Sequence, residues 1–351
     1  MKTLAYYISD YGYGHASRSI ALIRELLGKD KDIVVVICHS YALDFMKSSL
    51  SEHGDRVFFH YVRTDVGYVL RKDSLEVDSE ELEKELRTYV MKLPALAVEE
   101  ADYLRSFNVS AILSDISPVA METAEQLGVP VIGVSNFTWY TAYQGMVSEE
   151  CLTSLRHYYE KMDCFIALAG SDEHWDNQIN AGFYARHVNE ETVQKIKQSF
   201  NKKLIFMPIG MKIELGSINE LPIWDHPQFS FVVSHNMNIE HPNVTQIQEN
   251  DNEVQHYVAA ADLVISKAGW GTAAEAAVAG TPLLLIERNA FTEDRNTTKA
   301  LVNGGFAKSV SWEELQHIDL LQEYERFSNN RAVAPNEVST IANTILDYIA
   351  K

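Results

Sequence analysis

Cysteine is scarce. The 351-residue chain holds three, Cys38, Cys151 and Cys164, with no C-x-x-C pair. An odd, scattered set excludes a disulfide framework and a four-cysteine metal site, and it fits a reducing compartment. Each cysteine is read as a small buried hydrophobe. Positive charge is also in deficit: 30 lysines and arginines face 49 acids, a net charge of −19. That balance argues against a nucleic-acid binder, which needs a basic face. It also disfavours a broad contact with an anionic membrane, leaving only a local peripheral one. No apolar run approaches the roughly 20 residues of a membrane span. The opening, Met1-Lys2-Thr3-Leu4-Ala5, is interrupted too soon for a secretory signal, so a cytoplasmic location is expected. There is no H-E-x-x-H or similar ligand spacing, and Asp30-Lys31-Asp32 lies between a helix stop and a strand start as a solvated turn. No metal and no cofactor are therefore expected. A P-loop is absent too, which removes kinase chemistry.

What the chain does have is alternation. At roughly 100–200 residues per domain, two domains are the leading count. Apolar runs of strand length fall at 4–9, 33–38, 57–62, 111–114, 129–134 and 164–168, with helical patterns at 17–27, 76–107 and 118–127. The order breaks near 172–200 and then resumes. Strands follow at 203–208, 229–234, 263–267 and 282–287, and helices at 253–261, 272–279, 296–303 and 336–349. Ile33-Val34-Val35-Val36-Ile37-Cys38 is apolar throughout, as in strands buried on both faces of a parallel sheet. The pattern predicts an α/β protein of two doubly wound, Rossmann-like domains. They occupy 1–170 and 188–335, with a linker at 171–187 and a last helix at 336–351.

Each half contains one strand that ends in a Gly-aromatic-Gly turn opening a helix: Gly12-Tyr13-Gly14 and Gly269-Trp270-Gly271. Such turns belong at the carboxyl ends of the strands, where doubly wound folds bind ligands. The second turn has the features of an anion site. A helix start offers backbone N–H groups and partial positive charge, glycine lets the backbone come close, and Thr272 adds a hydroxyl. Glu275, about one turn deeper, would reach a ribose diol beside a phosphate. Thr272 and Glu275 also spell a capping box, which needs no ligand. In the first turn, His15 has an ordinary pKa near 6.5, suited to taking a proton from a hydroxyl or water. Asp115 ends a strand of the same sheet and is one candidate to orient it; Asp10 is the other. Asp115 could instead cap the helix opened by Pro118. Arg18 is either a surface charge or a phosphate or acceptor contact. Asn136, Trp139 and Tyr140 form a polar and aromatic loop that either stacks on an acceptor or packs as a lid.

Lys267-Ala268-Gly269-Trp270-Gly271-Thr272-Ala273-Ala274-Glu275, followed by Gly280-Thr281-Pro282-Leu283 and by Glu287 to Asp294, resembles the nucleotide-sugar motif of GT-B glycosyltransferases. The resemblance covers most of 245–307. It points to the branch containing the N-acetylglucosaminyltransferase of peptidoglycan synthesis and to the glycosyltransferase-like N-terminal region of plant arabinokinases. It implies two facing domains with a central cleft, the last helix crossing back onto the first domain. It also implies a nucleotide-diphospho-sugar, most simply UDP-linked, as co-substrate. Gly269, Trp270, Gly271 and Thr272 would then hold the diphosphate, Glu275 the ribose, and Glu293 or Asp294 the sugar hydroxyls. Ile247 falls where the family's backbone reads the base, and Gly210 where a loop faces the phosphates. Gly12-Tyr13-Gly14-His15, with Arg18, resembles the acceptor-side loop of the same families, with His15 as base. It is also similar to the UDP-sugar hydrolases of nonulosonic acid synthesis. The resemblance therefore implies a metal-independent, inverting hexosyl- or N-acetylhexosaminyl-type transferase with an unspecified acceptor. A nucleotide-sugar hydrolase and a non-catalytic nucleotide-sugar-binding protein are the alternatives.

Overall fold

The computed structural model describes residues 2–72, 76–209, 218–288, 291–329 and 331–350. The chain divides into two compact units, 1–182 with 337–351, and 183–336. The first contains β1 (Lys2–Ile8), α1 (Tyr13–Lys29), β2 (Ile33–His39), α2 (Leu43–Ser49), β3 (Val57–Tyr61), α3 (Ser79–Arg105), β4 (Val109–Asp115) and α4 (Pro118–Leu127). It continues through β5 (Val131–Ser135), α5 (Trp139–Ala142), α6 (Glu149–Tyr159), β6 (Cys164–Ala167) and β7 (Gln178–Asn180). The second contains α7 (Glu190–Gln198), β8 (Lys203–Met207), β9 (Phe229–Val233), β10 (Val244–Gln246), α8 (Gln255–Ala260), β11 (Leu263–Lys267) and α9 (Trp270–Ala279). After these come β12 (Leu283–Ile286), α10 (Thr292–Asn303), β13 (Ala307–Val310), α11 (Trp312–Gln316) and α12 (Leu320–Ser328). The closing helix α13 (Val338–Ile349) belongs to the first unit and packs on α1.

Both sheets are parallel, in the orders β3-β2-β1-β4-β5-β6-β7 and β10-β9-β8-β11-β12-β13. The first six strands of each unit thus share one doubly wound order, reversing direction between β1 and β4 and between β8 and β11. Local chemistry explains the element ends. All of β2 is buried, as a strand covered on both faces must be. Asp78 caps α3 by accepting from Glu81 N, Pro118 occupies the first turn of α4, and Gly128 ends α4 in the left-handed region at φ +68°. The short strands β7, β10 and β13 have no clear apolar signal of their own, and pairing with neighbours defines them.

The strand β5 is packed too closely for a side chain at Gly133. A Cβ there would sit 2.5 Å from Met162 Sδ and 2.8 Å from Phe165 Cδ2. Gly133→Ala is expected to lower stability by roughly 1–3 kcal/mol through overpacking. Urea unfolding followed by circular dichroism measures it, and an unchanged midpoint would contradict the packing described.

Candidate active site

The carboxyl edge of the first sheet is set by register. β1 and β4 are neighbours, with Ile8 opposite Asp115, so the last residue of β4 lies level with the exit of β1. The chain then turns at Gly12, whose φ of +86° suits glycine, and α1 starts at Tyr13. The helix therefore opens earlier than the sequence pattern indicates, and it places Gly14 and His15 in its first turn. His15 and Arg18 lie on one helix face, and both turn toward Asp115. Arg18 Nε donates to Asp115 Oδ2 (2.8 Å), and Arg18 Nη2 pairs with Asp115 Oδ1. Arg18 Nη1 donates to Asn136 Oδ1 (2.7 Å) and Nη2 to Ser135 Oγ (2.8 Å). His15 Nδ1 lies 3.1 Å from Asp115 Oδ1 and 3.0 Å from Arg18 Nη2.

The residue after Asp115 is strained. Ile116 has φ +56°, costly for a β-branched side chain. Its carbonyl accepts from Tyr159 OH (2.7 Å), and the next residue, Ser117, donates through Oγ to Thr64 O (2.8 Å). These bonds hold the bend that follows Asp115. No sequence signal marks Ile116, because the strain comes from contacts distant along the chain.

The charges are coupled. Burial alone would raise the Asp115 carboxyl, but the Arg18 and His15 charges and their hydrogen bonds hold it well below the usual carboxylate range. For His15, burial is the largest influence and lowers the pKa; Asp115 pulls upward, and Arg18 and His39 add to the lowering. The net result is an imidazole below its ordinary value, neutral at pH 7 and able to accept a proton. When Nδ1–H donates to Asp115, Nε2 carries the lone pair.

Several expected roles change here. Asp10 is not the partner of His15. Its carboxylate accepts from the N–H groups of Ser40 (2.8 Å), Tyr41 (3.0 Å) and Thr64 (2.9 Å), and His39 Nδ1 lies 2.9 Å away. Ala42 N donates to His39 Nε2 (2.9 Å), so the ring proton sits on Nδ1, facing Asp10. Asp115 is tied to Arg18 and His15 rather than capping α4. Arg18 is neither a surface charge nor an acceptor contact: it is 3% exposed and committed to Asp115. Asn136 is likewise buried as its acceptor. Trp139 is 1% exposed, stacked on Tyr143 (4.9 Å) with Nε1 donating to Asp65 (2.9 Å), so it packs rather than facing a ligand. Tyr140 remains half-buried beside Trp175 (6.1 Å). A Cβ on Gly12 or Gly14 would meet nothing within 4 Å, so the start of α1 is open. Asp65, buried beside this edge, was not singled out from the sequence; its place just after the third strand was the available signal.

In the second unit, α9 begins at Trp270 with Gly269 before it, and no side chain caps it. Thr272 lies inside the helix, so the capping box is not formed. Glu275 Oε1 instead accepts from Arg186 Nε (2.8 Å), and Arg186 Nη1 donates to Asn252 O (2.8 Å). Gly271 is buried and Thr272 half-buried. Trp270 packs against Tyr184 (5.2 Å) and Phe183 (5.9 Å), so its ring serves the core rather than a ligand. Ile247 N donates to Val233 O (3.0 Å), which leaves the carbonyl as the backbone group able to read a base. Asp294 is buried in an ion pair with Arg288, Nε to Oδ2 at 2.7 Å. Glu293 is half-buried in the first turn of α10. Lys267 precedes the glycine turn; burial, aided by Arg288 and opposed by Asp294 and Glu293, lowers its pKa to about 8. Gly210 lies outside the described residues. Among the described residues, no group of three or more His, Cys, Asp or Glu could hold a metal ion. Nor is any described helix long and apolar enough to cross a membrane.

Residues 228–348 match the glycosyltransferase family 28 C-terminal domain. The chain aligns from end to end with Arabidopsis thaliana UGT89C1 complexed with UDP, at TM-score 0.65 and 11% identity, covering 100% of both chains. The chain has the GT-B fold. The calicheamicin glycosyltransferase CalG4 is a second GT-B likeness, at TM-score 0.62 and 12% identity over 100% of this chain and 99% of that one. A third is the UDP-GlcNAc 2-epimerase of Neisseria meningitidis bound to UDP-GlcNAc, at TM-score 0.60 and 16% identity over 100% of both chains. In sequence, this GT-B chain is 26% identical over 308 residues to the L-arabinokinase of Arabidopsis thaliana. The match takes in 83% of this chain and 28% of the arabinokinase, so it spans under a third of that curated relative.

The Arg18–Asp115 pair has a measurable consequence. Arg18→Met leaves a buried carboxylate without its cation and is expected to cost about 3–5 kcal/mol. Adding Asp115→Asn removes that charge and should restore part of the loss. The depressed carboxyl contributes stability above its unfolded pKa of about 3.9. That contribution is lost as pH falls through the folded value. Urea unfolding of the single and double variants at pH 7 checks this, and additive losses would contradict a direct pair.

Proposed function

We propose that this protein transfers a sugar from a nucleotide-diphospho-sugar, most simply UDP-linked, to an acceptor hydroxyl, with His15 as general base. The observation that carries the reading is the buried His15–Arg18–Asp115 cluster, which keeps the imidazole neutral at the carboxyl edge of the first sheet. In the step proposed, Nε2 of His15 takes the acceptor's proton as the acceptor oxygen bonds to the anomeric carbon. The bond from that carbon to the diphosphate breaks, and the nucleoside diphosphate leaves with the electron pair. Attack opposite the leaving group inverts the anomeric centre. Asp115 orients the imidazole and stabilises its protonated form, by the logic of an acid–imidazole pair.

The donor belongs, in this reading, to the second unit. The start of α9 is not capped by a side chain, and its N–H groups suit the diphosphate and the charge that grows on it. Glu275, aligned by Arg186, would accept from the ribose. Glu293 or Asp294 would supply the acidic contact to the sugar, with Arg288 holding Asp294 through Oδ2. The family 28 domain match over 228–348 supports a nucleotide-sugar in this unit. The hexosyl or N-acetylhexosaminyl identity, and independence from metal, are parts of the same proposal.

Hydrolysis is the second reading, and one observation favours it. His15 is 8% exposed, an access suited to a nucleophile as small as water. The two readings separate in one assay. UDP-glucose and UDP-N-acetylglucosamine are incubated with the protein, with and without a panel of glycoside acceptors. Transfer predicts UDP release that depends on an acceptor. His15→Ala should lower that rate by about 10²–10⁴-fold while the thermal shift caused by UDP persists. Free sugar released at full rate without acceptor would replace transferase by hydrolase. UDP binding with no turnover in wild type would leave a binding protein.

A further inference from the structure

The carboxyl edges of β1, β2 and β3 enclose an open cavity of about 330 Å³ in the first unit, bounded by Asp10, Tyr11, Tyr41, Tyr61, Arg63 and Asp65. We propose that this cavity binds a neutral pyranose, and that the acceptor of the transfer reaction is a saccharide seated there; the acceptor role rests on the function proposed above, whereas the sugar binding does not.

Three features select the ligand. First, the walls carry aromatic rings turned to solvent. Tyr61 is 75% exposed and Tyr41 44%, and Tyr41 leans on Tyr13 at 5.3 Å, itself 48% exposed at the start of α1. Exposed large apolar surface that clusters marks a binding surface. Aromatic faces suit the C–H face of a sugar ring, whose hydroxyls remain free for polar contacts. Second, Asp65 lines the cavity although it is only 2% exposed. Its Oδ1 accepts from Asp10 N at 3.3 Å and its Oδ2 from Trp139 Nε1 at 2.9 Å. Ser9 bonds the same carboxyl; a carboxylate has about four acceptor positions, so these three donors leave room for one hydroxyl of a ligand. Burial and the neighbouring Asp10 charge raise its pKa to about 7, so near neutrality it also has a protonated form that donates. Third, the other polar groups exclude the competing occupants. An anionic ligand would meet two acids, Asp10 and Asp65, against the one guanidinium of Arg63, which already lies 3.5 Å from Glu85. A lipid tail or planar aromatic would cover Asp65 and Arg63 without answering them, which costs free energy.

Size and position agree. Small-molecule pockets span roughly 300–1,000 Å³, and this cavity sits at the low end, the scale of one or two sugar rings. Tyr11 belongs to both the cavity wall and the turn that leads through Gly12 into the helix bearing His15. The acceptor surface expected from Arg18, Asn136 and Trp139 is buried, and this cavity is the solvent-facing alternative at the same sheet edge.

Saturation-transfer NMR on the full chain tests the proposal. The probes are methyl β-D-glucopyranoside, methyl β-D-galactopyranoside and methyl α-D-mannopyranoside, with quercetin as the planar comparison. At least one pyranoside is expected to bind in the millimolar range, and Tyr61→Ala and Asp65→Asn each to weaken it about fivefold. Tyr61 is exposed, so its variant should fold as wild type does. The UDP-induced thermal shift should be unchanged in both variants. Absence of any pyranoside signal, a signal indifferent to both substitutions, or a Tyr61-dependent signal from quercetin alone would overturn the proposal. If the pyranoside signal depends on these residues while wild type shows no response to UDP, the transfer reading fails and the sugar site stands.

Discussion

A guanidinium and a carboxylate withdrawn from water are expensive to keep, and the architecture of the first unit is arranged around keeping one such pair. Arg18 and Asp115 come from different elements, α1 and β4, which only the parallel pairing of β1 with β4 brings together. Desolvation of each ion would cost several kcal/mol if the other were missing. Asn136 and Ser135, at the end of β5, supply further oxygens to the guanidinium. The ends of two neighbouring strands, β4 and β5, are thereby joined to α1 through one side chain. His15 is attached to this arrangement rather than being part of its support. Its ring is held by charges that are already balanced, and burial can lower its pKa without the site having to reorganise.

The second unit repeats the device. Two acids of that unit, Glu275 and Asp294, are each engaged by an arginine of the same unit, Arg186 and Arg288. Neither arginine stands out in the sequence as a partner. For Glu275 the pairing fixes the carboxylate's orientation, which would lower the ordering cost of the ribose contact proposed above. For Asp294 the pairing fixes Oδ2 on the Arg288 guanidinium. One GT-B fold is shared by the glycosyltransferase and epimerase structures this chain resembles. The fold therefore does not choose the reaction, and the chemistry of the strand ends must.

The fold was legible because the relevant signals are local. Buried parallel strands are apolar throughout, helices repeat every few residues, and glycines and prolines punctuate both. The turn at Gly12 and the strand ending in Asp115 could be placed on one sheet edge from strand alternation alone. What could not be read were the long-range choices. Arg18 at helical spacing looks the same whether it faces water or a buried acid. Trp139 and Asn136 in a loop look the same whether they line a site or its floor. The partner of His15 was undecided between Asp10 and Asp115 because adjacency in sequence competes with adjacency in the sheet, and the sheet prevailed. Ile116 in the left-handed region had no precursor in composition or spacing.

The proposed chemistry depends on an imidazole kept neutral by burial beside a satisfied ion pair. The most direct measurement is an NMR titration of the His15 ring Cε1–H resonance, assigned by comparison with His15→Gln. The structure predicts a single midpoint clearly below the ordinary value of about 6.5, and a ring uncharged at pH 7. A midpoint above 6.5, with the ring protonated at neutral pH, would show that Asp115 dominates over burial and Arg18, and it would contradict His15 as the base.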